Sequence, residues 1–513
     1  MLLLENNLQS FVMEESYKKQ TSNFNRKDIC TSLITCIIVL TYFYFLQFSS
    51  NSLADRDGYF HIKFSQLMRD HGIIYKLPWM QYTIFKDYFR DHHFLQHVLY
   101  IPFTFCDLIK GAKWAALFFA SLAGISFYFC LRLCNVKYSL FWTCAFLASS
   151  SAFLYRISML RVQSISLALM LFSIFLIIKK RYKSLSICAF LFVWLYDGFP
   201  LLIVITLIFF LCELFIEKRA DYKLLIYLFS GILGGIIINP FFPENIPSYF
   251  FNLIRISTDD TSIRIGQEWY PYTTLSLLKD SGFVFIVFFG MIALLLGGYK
   301  KRSHILTSMF FVSCFFMFLL FKSRRYIEYW PPFAMIFCAF GISELISDNE
   351  GKFILKKSIY KRIFLFLLVS ITGYFIINNF IIASKQMRED PSKDFYKGAA
   401  LWLKEHTGPE TIVFNTDWDD FPYLFFYNTH NYYIVGLDPN YMYKYNSSLY
   451  RTWQAVTKGK VKNPHEIIVE KFNSYYVLTD NKHEAFIKQA NNDPYMKVVY
   501  KDKFCKVYMI NNK

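Results

Sequence analysis

The chain has 513 residues, of which 55% are apolar and 20% aromatic while only 18% are charged, and its mean hydropathy is +0.29. A soluble domain carries about a quarter charged residues, so this composition excludes a disordered, collagenous or disulfide-scaffold chain and points to a polytopic membrane protein. The net charge of +17 would suggest nucleic acid in a soluble protein, but in a lipid-embedded chain loop lysines and arginines first orient the helices, and no nucleic-acid partner is expected.

Residues 1–28 form an amphiphilic leader with Lys18, Lys19, Arg26 and Lys27. It precedes an apolar run of full membrane thickness without a small-residue cleavage site, which makes that run an anchor with its N-terminus inside. Runs near the 20 or so residues that a span needs fall at 29–48, 113–131, 138–155, 162–178, 184–197, 200–216, 223–241, 282–298, 304–321, 330–347 and 361–383, roughly eleven helices. Every second loop is basic: Arg132/Lys137, Lys179-Lys180-Arg181-Lys183, Lys218/Arg219/Lys223, Lys300-Lys301-Arg302 and Lys352/Lys356/Lys357/Lys361/Arg362. By the positive-inside rule these face the cytoplasm, and the loops 49–112 and 242–281 with everything after Ser384 face outward. The stretch His97 to Leu108 is apolar but too short to span, and reads as a re-entrant or surface-lying helix. Most of the 11 cysteines sit in spans, so no disulfide framework is implied.

From Ser384 the chain turns polar. Gly398–His406 has a helical pattern, Thr411–Phe414 and Tyr475–Leu478 read as buried strands, and 497–500 with 506–510 as a closing hairpin. The expected architecture is therefore a polytopic α-helical membrane domain, 29–383, followed by an extracytoplasmic α/β domain, 384–513.

Chemistry concentrates in the outward loops. Asp55-Arg56-Asp57-Gly58-Tyr59-Phe60-His61 follows the first span directly. A carboxylate at the lipid boundary can serve a lipid-borne phosphate and an aqueous acceptor alike, as metal ligand or general base; an Asp-Gly turn is the plainer alternative. In Arg90-Asp91-His92-His93-Phe94-Leu95-Gln96-His97 the spacing puts His93 and His97 on one helical face, suited to positioning a substrate. Arg156, Arg161 and Gln163 lie in a short outward turn, where guanidinium forks would match phosphate oxygens. Asp197, in the turn Tyr196–Pro200, is a reserve candidate. Lys322-Ser323-Arg324-Arg325-Tyr326-Ile327-Glu328 puts positive charge on the disfavoured side, which calls for an anionic partner such as a lipid-linked phosphate.

The stretch after the first span resembles the first external loop of C-type (GT-C) glycosyltransferases, above all the oligosaccharyltransferase catalytic subunit. That resemblance implies a polyprenyl-phosphate-linked sugar donor, a glycolipid, polysaccharide or protein acceptor, and Asp57 as catalytic carboxylate or as ligand of a divalent metal, magnesium or manganese. It also makes Glu268 of the long outward loop a catalytic residue that touches the acceptor. Asp417-Trp418-Asp419-Asp420 is similar to the family's Trp-Trp-Asp-Tyr-Gly acceptor motif, with its first Trp and its Tyr-Gly replaced, and the second acidic pair expected around Tyr155–Ser164 is missing. The implied site is Asp57 and Glu268 for chemistry, Arg324, Arg325 and Arg161 for the donor phosphate, and Tyr59, His61, His93, His97, Trp418 and Asp419 for acceptor or sugar. The implied location is a bacterial-type inner membrane with a periplasmic or extracellular C-terminal domain. An oligosaccharyltransferase proper and a lipid or polysaccharide transporter are the alternatives.

Overall fold

The computed structural model describes residues 26–247, 249, 266–297, 302–347 and 358–511. The charges Lys18, Lys19, Arg255, Asp259, Asp260, Arg264, Lys300, Lys301, Lys352, Lys356 and Lys357 lie outside them.

Each of the eleven apolar runs forms helix. Seven helices are long and apolar enough to cross a membrane: Arg26–Gln47, Leu108–Leu133, Pro200–Glu217, Thr274–Leu296, His304–Lys322, Trp330–Ser347 and Leu365–Glu389. Val162–Ile178, Tyr182–Leu195 and Tyr222–Ile237 are apolar but shorter. The run read as one span over 138–155 is instead a pair, Ser139–Leu147 and Ser151–Ile157, bent by 90°. Tertiary partners make the bend: Asn379 Nδ2 donates to the freed Ala148 carbonyl at 2.8 Å, and Ser150 caps the second helix through the Phe153 N–H at 3.2 Å.

Helices in lipid approach closely where small residues let backbones meet. A Cβ on Gly231 would lie 2.1 Å from the Ser186 carbonyl oxygen, and one on Gly235 2.9 Å from Val193 Cβ, so Tyr222–Ile237 and Tyr182–Leu195 pack backbone to backbone. Gly124 does the same for Leu108–Leu133 against Val39 of the first helix. The first helix leaves Leu33, Ile37 and Phe45 exposed, the composition of a lipid-facing wall. These helices make the chain an integral membrane protein.

After Ser358–Glu389 the chain forms a five-stranded sheet of order β2-β1-β3-β5-β4. Its strands are β1 (Ile412–Asn415), β2 (Tyr432–Tyr433), β3 (Tyr476–Asp480), β4 (Met496–Lys501) and β5 (Cys505–Ile510). β1 pairs in parallel with β2 and β3, and β5 runs antiparallel to β3 and β4. An open β2 edge would be a liability. The first large loop covers it: Gln81 N–H donates to the Tyr433 carbonyl and Tyr433 N–H to that of Trp79, both at 2.8 Å.

The rest of that loop sits between bundle and sheet. The helix Asp57–His71 buries Tyr59, Ile62 and Phe64 completely and packs on Phe421–Tyr427 of the sheet domain. The stretch after His93 is the short helix Phe94–Tyr100 with a 3-10 turn, Ile101–Thr104, too short to span.

Candidate active site between two cavities

Two cavities meet where the bundle ends. The first, about 830 Å³, lies under the sheet domain and is lined by Asp55, Asp57, Asp417, Trp418, Asp419, Asp438, Asp480 and His483 among others. The second, about 360 Å³, is lined by His61, Arg90, His92, His93, Asp197, Arg325 and Lys444. Asp57, Glu268, Trp269, Leu437 and Asp438 border both.

Local structure places Asp57 on that shared wall. Asp55 adopts a left-handed φ of 69°, turning the chain out of the first span, and its Oδ2 accepts the Asp57 N–H at 3.2 Å. Asp57 then opens the next helix, where unpaired N–H groups and the helix dipole favour a carboxylate.

Arg161 ties the wall together. Its Nη2 lies 2.7 Å from Asp55 Oδ2 and 2.7 Å from Asp57 Oδ2, its Nη1 2.8 Å from Glu268 Oε2, and its Nε donates to Asp55 at 2.8 Å. Arg156 bridges Glu268 at 3.0 Å and Glu328 at 2.5 Å. Arg325 Nε stands 3.6 Å from Glu268 Oε1, its guanidinium 4.4 Å from the centre of the Trp269 ring. Four carboxylates thus face three guanidiniums, and the surplus negative charge falls on Asp57, the most accessible of the four. Burial, with repulsion from Asp55, Glu268 and Asp419, pushes its carboxyl up to about 7 against the pull of Arg161. Burial would lift Glu268 too, but Arg161, Arg325 and Arg156 outweigh it and hold Glu268 well below the usual carboxylate range.

On the far side of the first cavity Asp419 forms an ion pair with Arg56, joining the first loop to the sheet domain. Burial pushes Asp419 up to about 6, with Arg56 opposing.

The structure brings Asp57, Glu268, Arg161, Arg325, His61, His93, Trp418 and Asp419 onto the cavity walls. It moves others away. Arg324 lines neither cavity: its Nε donates to the Pro271 carbonyl at 3.1 Å and its guanidinium lies over Tyr272. Tyr59 is fully buried against Tyr423, because the helix Asp57–His71 turns that face to the sheet domain. His97 is 1% exposed and sits behind His61, its ring 6.4 Å from that of His93. The guanidinium of Arg161 is taken up by carboxylates, so it organises the wall instead of standing open to a phosphate. Sequence reasoning missed the partnership of Arg156 with Glu268, the cavity residues Lys444, Asp480 and His483, and Asp390, whose carboxylate takes the Tyr155 hydroxyl at 2.9 Å. None carries a local motif.

A divalent metal at Asp57 does not fit this donor set. The oxygen atoms that would face the ion face Arg161, and among the described residues no three His, Cys, Asp or Glu side chains gather as ligands.

No family model matches the sequence, and no curated protein matches it. The fold is shared with solved membrane-protein structures at low sequence identity. One similar structure is the archaeal oligosaccharyltransferase AglB from Archaeoglobus fulgidus in complex with an inhibitory peptide and a dolichol-phosphate: TM-score 0.65, 14% identity, covering 94% of this chain and 74% of that one. Another is ArnT from Cupriavidus metallidurans bound to undecaprenyl phosphate: TM-score 0.58, 12% identity, covering 93% of this chain and 97% of that one.

Proposed function

We propose that the protein is a GT-C type glycosyltransferase that moves a sugar from a polyprenyl-phosphate-linked donor to a hydroxyl-bearing acceptor, a glycolipid, polysaccharide or protein, at the outer face of a bacterial-type inner membrane. The observation that carries this reading is Asp57, a carboxyl pushed up to about 7 on a wall shared by a cavity rich in acids and one that holds Arg90, Arg325 and Lys444. Polyprenyl phosphates bound in AglB and ArnT support a lipid-linked donor here. The alternation of basic loops supports the orientation.

The donor phosphate belongs in the second cavity, where Arg325, Arg90 and Lys444 supply positive charge. The acceptor enters by the first. Asp57 takes the hydroxyl proton as the acceptor oxygen bonds to the anomeric carbon; the bond from that carbon to the phosphate oxygen breaks, its electron pair leaving with the phosphate beside Arg325. Glu268 stays ionised and holds Arg161 and Arg325 in place. Trp418 and Asp419 offer a ring face and a carboxylate to the acceptor.

A protein acceptor is the second reading, suggested by the inhibitory peptide bound in the similar AglB structure. The experiment for both is a mass-spectrometric profile of glycans, glycolipids and glycoproteins in a deletion strain complemented with wild type or Asp57→Asn at equal membrane abundance. Wild type alone should restore a missing saccharide, whose carrier names the acceptor. Equal restoration by Asp57→Asn would remove the assigned base.

A further inference from the structure

One turn after Asp57 on the same helix stands a second ionisable group, His61, backed by a chain of buried partners. His61 Nδ1 lies 2.8 Å from His97 Nε2, and His97 Nδ1 lies 2.6 Å from Asp91 Oδ2. The three residues are 7%, 1% and 5% exposed. The other oxygen of Asp91 accepts the His93 N–H at 2.9 Å, which fixes the carboxylate.

The direction of the chain follows from its end. A carboxylate only accepts, so His97 carries its hydrogen on Nδ1 and presents a lone pair from Nε2. The hydrogen between the rings then belongs to His61 Nδ1, and His61 Nε2 is left with a lone pair. Burial, the largest cause, holds His61 well below its ordinary value, so the ring is neutral. His93 and Asp57 are the other titratable groups around it. Among the described residues nothing hydrogen-bonds Nε2, and His61 lines the second cavity with Asp57 and Arg325. The setting is aromatic, with Phe64 4.7 Å from His97 ring to ring and Phe60 5.6 Å from His61. Packing alone would be served by another phenyl ring, without a carboxylate taken out of water.

We propose that Nε2 of His61 accepts a hydrogen bond from a hydroxyl of the sugar being transferred, with His97 and Asp91 as positioning residues behind it. The donor sugar therefore carries a free hydroxyl toward the helix Asp57–His71. A bare lone pair is the wrong partner for a phosphate oxygen, which has no hydrogen to give, whereas Arg325 in the same cavity suits the phosphate. A sugar joined directly to that phosphate lies within the same cavity. As positive charge builds on its ring in the transition state its hydroxyls become better donors, so this bond strengthens during reaction and acts on kcat. The proton stays on the sugar oxygen throughout.

This inference rests on the glycosyl-transfer reading, and the test separates the two. Purified full-length protein is added to deletion-strain membranes, which hold the accumulated donor lipid, and transfer is followed as donor concentration varies. His61→Leu should lower kcat roughly a hundredfold, and His61→Gln, whose amide oxygen reaches the Nε2 position, should recover about tenfold of that. Asp91→Asn, which keeps the shape but removes the charge, should lower kcat about tenfold with donor KM within about twofold. Wild-type turnover in His61→Leu overturns the proposal, as does an Asp91→Asn effect confined to thermal stability. If His61→Leu does not fold, wild-type kcat in both His61→Gln and Asp91→Asn overturns it equally. Asp57→Asn runs alongside: if it is inactive while His61→Leu is fully active, the relay alone fails; if wild type itself transfers no sugar from the accumulated donor, the transfer reading fails.

Discussion

The two cavities share a wall and little else. The first gathers Asp55, Asp57, Asp417, Asp419, Asp420, Asp438 and Asp480, which with Glu268 outnumber its arginines and lysines, whereas the second, the more cationic of the two, sets Arg90, Arg325 and Lys444 against Asp57, Asp197, Glu268 and Asp438. The acid excess of the first chamber biases ligands before contact: an anionic lipid phosphate is disfavoured there and finds cationic partners in the second, leaving the acidic side to a neutral polyhydroxyl or cationic acceptor. The reacting atoms then meet only at the divide, where Asp57 stands. On the proposed reading the acid excess of one chamber biases where each ligand sits, and the Asp57 carboxyl carries the proton transfer.

The comparison can be broken most severely at the divide. Asp57→Asn keeps the shape of the wall and removes the base, so transfer in deletion-strain membranes should fall about 10²- to 10⁴-fold at equal protein abundance. Arg161→Ala strips the cation from between three carboxylates; uncompensated buried charge costs about 3–5 kcal/mol, read as a lower thermal midpoint of the purified protein together with lost transfer. Arg161→Lys should restore part of the stability only, because an ammonium cannot fork to three acids.

The second chamber is sharpened by a matched pair. Arg325→Ala should raise donor KM roughly tenfold to a hundredfold, the worth of a charged hydrogen bond, while Arg324→Ala, one residue away but facing Pro271 and Tyr272, should leave donor KM within about twofold. Equal effects from both would show that the two chambers do not divide the substrates in this way. Far from either, Gly231→Ala puts a methyl against the Ser186 carbonyl and should cost about 1–3 kcal/mol of stability, with turnover per folded molecule unchanged.

Hydropathy located all eleven helical runs, because the requirement for a continuous apolar surface in lipid is written locally. The bend within Ser139–Ile157 was missed: Asn379 and Ser281 help to make it from 231 and 131 residues away, and its local trace is the run Ser149-Ser150-Ser151, whose middle member caps the second helix. In the sheet domain the strands at 412–415, 476–480, 496–501 and 505–510 follow alternating or β-branched runs, whereas β2 has two residues and exists through its neighbours. At the site, Asp57 was visible from its position after the first span. The carboxylates that claim Arg161 were not, since Arg161 meets Asp55 across 106 residues and Glu268 across 107. The histidines show the same limit. An i, i+4 spacing brought His93 and His97 together, and their rings do lie 6.4 Å apart, but it could not show that the side-chain hydrogen bond of His97 goes to His61, 36 residues upstream.

The central claim is that the ionisation of Asp57 controls transfer, and the pH dependence of kcat tests it most directly. Asp57 acts as a base only when deprotonated, and burial has pushed its carboxyl up to about 7, so the wild-type rate should rise tenfold per pH unit below that value and level off above it. Residual transfer by Asp57→Asn should lack that limb. A wild-type rate that stays flat from about pH 5 to 8, across the range where an ordinary carboxylate is already ionised, would contradict the account.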